Sequence, residues 1–521
     1  MKILLKNGTI YDGTGAPSYM GDVYIEGERI VDIGTGLSPE VDKVIDCTGL
    51  SITPGFIDAH SHNDFFVDGE DRDAYFAPFI KQGITTQIVG NCGFSSYGVS
   101  RESVHKNKVG GGLFHTKKAG GFADFLHAAR GRMPVNIAPL IGHGTVRIGI
   151  SGYDAAHFSK AQIEEMLTHV REAMELGALG GSLGIMYQPG MYADKEEFVA
   201  FAREIAKYDG ILTVHPRANS KVSLSYRPIF IKPHLEIALD EVINIAQEAG
   251  VKLHYSHLIH VGEATWKCCS TMLEKLHNAN ATYDLYAFCY GGSVITVILP
   301  PWYLHLSEEK RKRPMVQLRL KLLINLARKL LGLDFDDFII ADMGAKYAHY
   351  QGKNIGEIAR EQGLSKIDMY IKLVEDSQGK ARIFIEKYNN EEIILKLMQD
   401  KSSMFMTDAW LENSGRQSHA TFQGFPLFLV KAREAGLPLA EIIHKMTGKT
   451  AERFRLPNRG TLKAGNFADI TVFDYEAVSV DLSTPEATPK GINYVLINGN
   501  IVVDEGVYKP MLCGQMVLRD R

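Results

Sequence analysis

Between about residues 55 and 410 the chain repeats one pattern: a short apolar run, then a longer stretch with apolar residues three and four positions apart. The short runs are "GFIDAH", "TTQIVGNC", "VNIAPLIGH", "GALGGSLGIMY", "ILTVH", "VKLHYSH", "ATYDLY" and "SMFMTD". Between them lie helical stretches such as "KAQIEEMLTHVREAMELG", "KEEFVAFAREIAKYDG" and "EIALDEVINIAQEAG", the last two closing on Gly, a common stop signal. Eight strands alternating with helices predict an α/β chain built as a (β/α)8 TIM-like barrel.

The ends of the chain follow another rhythm. "KILLKNGTIYDG", "DVYIEGERIVDIG" and "KVIDCTGLSITPG" alternate apolar and polar residues between glycine turns, and "GNFADITVFDYEAV" and "NYVLINGNIVVDEGVY" echo them near the C-terminus. We expect both termini, residues 1–54 plus 455–521, to form one small β-sandwich domain, with the barrel over 55–454. The stretch from about 290 to 400 is too long for one crossover and reads as an inserted subdomain after strand seven. It contains "SEEKRKRPMVQLRLKLLINLARKLLG", a basic amphipathic helix. Its basic face reads as a solvated surface, and a substrate-facing lid is the lesser reading.

Composition narrows the function classes. A chain of 521 residues exceeds what one hydrophobic core usually serves. A net charge of -4 and a pI near 6.5 give no support to nucleic-acid or membrane binding. Six cysteines, two of them adjacent at 268 and 269, make a poor disulfide framework and suit a reducing cytoplasm. The N-terminal "MKILLKNGTIYDG" is too short in apolar residues for a signal-peptide core, and no run approaches a membrane span. We expect a cytoplasmic protein acting on a small molecule, with a homo-oligomer left open.

Ligand-type residues recur where the short runs end. His60 and His62 close the first, Cys92 the second, His143 the third, His215 the fifth, His257 the sixth and Asp408 the eighth. In an extended strand, residues two apart share a side, so His60 and His62 can converge. All strand ends of a barrel meet on one face, where barrel active sites form. Such residues on six of eight ends exceed what core filling explains, and a His/Cys/Asp set suits zinc. Cys92 could instead be a small buried hydrophobe, but its place between Asn91 and Gly93 at a strand end favours ligation. His254 shares a run with His257, and strand parity assigns it to the opposite side as a structural residue. His143, between two glycines, lines the pocket or braces a loop. The other cysteines read as inert.

With His-x-His on strand one, His on strands five and six and Asp on strand eight, the chain resembles the amidohydrolase superfamily. "GNCGFS", "LIGHGTVR", "GALGGSLGIMYQPG", "SH" at 256–257 and "LPPW" resemble, within it, the N-acyl-D-amino-acid deacylase (D-aminoacylase) family over nearly the whole length. The resemblance implies that Cys92, His215 and His257 hold one Zn2+ tightly. It implies a second, weaker site at His60 and His62, with Cys92 between the two and Asp408 as the catalytic general base and acid. Tyr187, Tyr286 and Ser293 would be substrate contacts. Zinc chemistry fits these roles, since a thiolate is a good ligand and a nearby Asp can move a proton from water to the departing nitrogen.

Two positions depart from the family pattern. Leu258-Ile259 stand where the family commonly has His-Lys, and Ser418-His419 where it has Pro-Arg. Losing an arginine fork removes a carboxylate partner. Arg416, or one of Arg217, Lys221, Arg227 and Lys232 in the loop 215–234, could substitute, although each equally reads as a solvated loop charge. The expectation is a zinc-dependent hydrolase of a non-peptide C–N bond, deacylating N-acyl-D-amino acids. A cyclic-amide hydrolase resembling hydantoinase or dihydroorotase is the alternative. Those usually bridge two metals with a carboxylated lysine on strand four, and "GALGGSLGIMYQ" has none. A deaminase is weaker, because "HPRAN" and "SHLIH" lack a glutamate beside the ligand. A metal-free scaffold would require lost ligand positions, and none is lost.

Overall fold

Strands covered on both faces lose the alternation that marks a half-exposed sheet, and this separates the middle of the chain from its ends. The computed structural model describes residues 1–110, 114, 120–223, 226, 232–304 and 306–520. Eight strands pair in parallel in chain order: Phe56–Asp58, Ile84–Val89, Asn136–Gly142, Gly180–Gly184, Ile211–His215, Lys252–Tyr255, Thr282–Leu285 and Ser403–Phe405. Every residue in them is buried except Lys252 and Thr282. Strands one and eight complete the ring: the Ala59 amide donates to the Phe405 carbonyl at 3.1 Å and the Asp408 amide to the His60 carbonyl at 3.0 Å. The expected (β/α)8 barrel is therefore what forms, with each of the eight strands in the run that predicted it.

Local signals set the helices between the strands. Lys160–Glu175 begins at a reciprocal cap in which Ser159 accepts from the Gln162 amide and the Gln162 side chain accepts from the Ser159 amide at 3.0 Å. His234–Ala249 ends where Gly250 turns left-handed at φ 69°. The apolar faces of these helices pack on the barrel in one continuous core that includes Phe201, Leu239, Met272 and Phe428.

Both termini join in one nine-stranded sheet that runs from Lys2–Ile10 and its neighbours to Ile470–Phe473, Ile492–Ile497, Asn500–Asp504 and Val507–Tyr508. Its inward side chains, among them Ile3, Leu5, Val23, Ile470 and Leu496, enclose a core of their own. A buried polar knot ties it to the barrel. Asp469 pairs with Arg459 and accepts from Asn136 at 3.1 Å, and Asn498 donates to Asn136 at 2.8 Å.

Between barrel strands seven and eight the chain makes a long excursion. Gly291–Val294, Phe338–Asp342 and Arg382–Ile385 form an antiparallel sheet with its own apolar cluster. The basic stretch is divided: Pro314 opens the helix Pro314–Leu331, and Gly332 ends it. The helix buries Leu320, Ile324 and Leu331. The expected solvated basic face differs in detail, because Lys321 pairs with Asp368, Arg328 pairs with Asp334 and Arg319 lies over the Trp302 ring. Leu318, Leu322 and Leu326 face outward, as do Met315, Leu323, Arg319 and Lys329. All six cysteines are free thiols. No helix among the described residues is long and apolar enough to cross a membrane.

Candidate metal centre

The barrel mouth is built by three backbone reversals. Cys92, His257 and Asp408 follow strands two, six and eight, and each takes a left-handed conformation, at φ 53°, 38° and 43°. Such values are uncommon for residues other than Gly and gather at functional sites. Here they swing each side chain inward over the strand ends.

Four imidazoles, one thiol and one carboxylate consequently meet. Cys92 Sγ lies 3.2 Å from His60 Nε2, 3.5 Å from His257 Nε2 and 3.7 Å from His215 Nδ1. His215 Nδ1 and His257 Nε2 are 2.7 Å apart. Asp408 Oδ1 stands 3.6 Å from His60 Nε2 and 3.5 Å from His62 Nε2. The donor atoms of His60, Cys92 and His257 all lie within 4.8 Å of one another, as do those of His60, His62 and Asp408. The resemblance groups His215, not His60, with Cys92 and His257; the distances place all four in one knot.

These residues fit a divalent ion. A tetrahedral zinc with bonds of about 2.0–2.3 Å holds its ligand atoms roughly 3.3–3.6 Å apart, close to the spacing around Cys92. The electrostatics agree. Burial pushes Asp408 upward, but His60, His62 and His257 outweigh it and hold the carboxyl well below the carboxylate range. Burial lowers His60, yet Cys92, Asp408 and Asp284 outweigh it and raise the imidazole well above its ordinary value. Burial lowers His62 and His215 and brings His257 to about 4. It pushes the Cys92 thiol up to about 11, with His60 opposing. A carboxylate and a thiol packed against buried imidazoles form a donor set that suits a divalent cation.

Sequence reasoning missed the acids that hold the clustered histidines. Asp284, in strand seven, accepts from the Nδ1 side of His60 at 3.3 Å, from His254 Nε2 at 3.0 Å and from the His257 amide. Its signal was a lone acid inside the apolar "ATYDLY". Asp58, in "GFIDAH", accepts from the His60 amide at 3.2 Å and the Thr407 amide at 2.9 Å, so it staples strand one to strand eight. The parity argument for His254 fails because the strand ends at Tyr255 and the backbone turns before His257. His254 instead sits beneath the cluster, joined to it through Asp284.

The other candidates separate. Tyr187 lays its ring against His215, with centroids 4.4 Å apart. Tyr286 meets Ser418 at 3.0 Å through its hydroxyl. His143 is committed to Glu197 at 2.8 Å, and Glu197 also holds Arg147, so His143 braces the helix after strand four. Ser293 lies on the excursion sheet opposite Ile383 and hydrogen-bonds none of the cluster's side chains. Arg217 makes a forked pair with Glu241, at 2.8 and 3.1 Å. His419 is held between the Tyr290 hydroxyl at 2.6 Å and the Leu482 carbonyl at 2.9 Å, and burial lowers its pKa. Lys232 pairs with Asp240, and Arg227 lies outside the described residues. Arg416, half-buried on the loop after Asp408, has no hydrogen bond or ion pair from its guanidinium among the described residues.

Comparison with known proteins gives a consistent picture. The amidohydrolase family matches residues 43–225 and 406–503. The chain is 28% identical to the D-aminoacylase of Alcaligenes xylosoxydans xylosoxydans over 99% of its own length and 97% of the relative's. It is 27% identical to the N-acyl-D-glutamate deacylase of the same organism, over 96% and 93% of the two lengths. A solved D-aminoacylase, described as having a binuclear metal center with one-metal activation and second-metal attenuation, superposes with a TM-score of 0.81 at 25% identity, covering 99% of each chain.

Proposed function

The chain belongs to the amidohydrolase family, and on that premise we propose that it is a zinc-dependent hydrolase that deacylates N-acyl-D-amino acids. The observation that carries this reading is the convergence of His60, His62, Cys92, His215, His257 and Asp408 at one barrel mouth. Cys92, His215 and His257 would hold one ion, and His60 and His62, beside Asp408, would hold a second, with Cys92 between the two. Bound there, zinc supplies Lewis acidity toward an amide carbonyl and toward water.

The chain's own residues supply the proton handling. The Asp408 side chain is 30% exposed while those of His60 and His62 are 0% and 5%, so the carboxylate is the face the cluster offers to a substrate. Its histidine neighbours keep it ionised. It accepts a proton from the attacking water and returns it to the departing nitrogen, which leaves poorly as an anion. Tyr187 walls the pocket beside His215.

Arg416 is the cation we assign to the substrate carboxylate. Arg217 is engaged by Glu241, His419 is neutral between two partners, and Leu258 and Ile259 are buried. Only Arg416 among these side chains keeps a free fork. Buried Leu258 and Ile259, where the family commonly has His-Lys, also favour a second reading, a cyclic amide that presents no free α-carboxylate. The six free thiols support action in a reducing compartment such as the cytoplasm.

The test is bound-metal analysis with turnover of N-acetyl and N-formyl D- and L-amino acids beside a panel of cyclic amides. Cleavage of the acyl-D-amino acids is expected, with Arg416→Met raising KM about tenfold or more and sparing kcat. Metal-loaded protein that opens only cyclic amides would replace the substrate assignment. Unchanged KM in the variant would remove Arg416 from it.

A further inference from the structure

Of the four imidazoles in the cluster, three have an outer ring nitrogen with no partner among the described residues: His62 Nδ1, His215 Nε2 and His257 Nδ1. His60 differs. Its Nδ1 lies 3.3 Å from Asp284 Oδ2, and both side chains are fully buried. His60 is also the imidazole common to both donor groups, so its orientation affects each.

We propose that Asp284 is a positioning residue for the metal centre, fixing the His60 ring with Nε2 toward Cys92 and Asp408 and drawing the His257 turn against it. The inference rests on the metal-dependent reading above. A neutral imidazole carries its proton on either nitrogen, and only the unprotonated one can ligate. A carboxylate that accepts from Nδ1–H leaves the Nε2 lone pair facing the donors. The same carboxylate accepts from the His257 backbone amide, where φ is 38°, and so offsets the strain of that reversal. One acid on strand seven therefore orders donors from strands one and six. His254, at 3.0 Å from Asp284 Oδ2 and 2.8 Å from Thr282 Oγ1, in turn anchors the acid.

The experiment measures zinc affinity of the full-length protein by competition with a chromophoric chelator, together with the visible spectrum of the Co(II)-substituted form. Asp284→Asn is expected to bind zinc about tenfold to a hundredfold more weakly and to alter the Co(II) bands, with circular dichroism unchanged. A folded Asp284→Asn protein with wild-type zinc affinity would overturn the proposal. If that variant does not fold, nitrogen-15 histidine spectra of the zinc-loaded wild type decide: a proton on His60 Nδ1 supports it, and a proton on Nε2 overturns it. Wild-type protein that takes up no zinc would instead overturn the functional reading beneath it.

Discussion

Asp408 shows how much one residue's conformation decides. Its φ of 43° is a value that Asn and Asp adopt more readily than most residues, so Asp408→Asn should keep both backbone and volume. The amide cannot accept the proton. We expect turnover to fall by about 10²–10⁴-fold with metal content unchanged, read by single-substrate kinetics and metal analysis on the same sample. Full activity would remove Asp408 from the mechanism. The residue type and its place at the end of "SMFMTD" were legible in the sequence. The left-handed turn that aims it was not, because neither Cys, His nor Asp announces a positive φ as Gly does. The acids behind the ligands were hidden for a related reason. Asp284 and Asp58 sit within apolar strands, and only the three-dimensional arrangement shows which histidine each one meets.

At the scale of elements, strand four explains its own glycines. A Cβ on Gly184 would come 1.9 Å from the Cys92 carbonyl oxygen, a backbone atom that cannot turn aside. The "GALGGSLG" motif therefore brings strand four close enough for the Cys92 loop to close over it. Gly184→Ala should destabilise the protein by roughly 1–3 kcal/mol through this overlap and weaken metal binding by displacing Cys92. Chemical denaturation and the same chelator competition check both effects. A variant with unaltered zinc affinity would show that the loop has slack. The helices were legible from their spacing and stops, as at Gly250. The excursion helix was only half legible. Its basic residues are evident in sequence, yet Asp334 and Asp368 pair with two of them, and leucines share the outward face with Arg319 and Lys329.

For the molecule as a whole, burial of titratable groups makes stability depend on pH in a stated direction. Burial pushes Cys47, Cys289 and Cys513 up to about 12 and Cys268 to about 11. In the unfolded chain these thiols ionise near pH 8.5, whereas the folded protein keeps them protonated. Their stabilisation is complete below that pH and is lost as pH rises through the folded values. Lys445 and Lys449 oppose this, since burial lowers each to about 8 and the unfolded chain holds more protons above that value. Four thiols outnumber two ammonium groups, so the unfolding free energy should fall between about pH 8.5 and 10.5. Urea titrations across that range are the measurement, and Cys47→Ser should flatten the decline. A rise would show that the lysines dominate.

The order of eight apolar runs and the ligand types at their ends are local properties, set by periodicity and residue chemistry, and the amino-acid sequence determined them alone. With them came the barrel, the small sheet at the termini and the family. Tertiary structure decided which donors share a knot, which cations remain unpaired and which buried acid supports which imidazole. Those outcomes depend on distances between residues as far apart in the chain as His60 and Asp408, and on charges that find partners only when the first and last strands close the ring. No window of sequence contains both halves of such a contact.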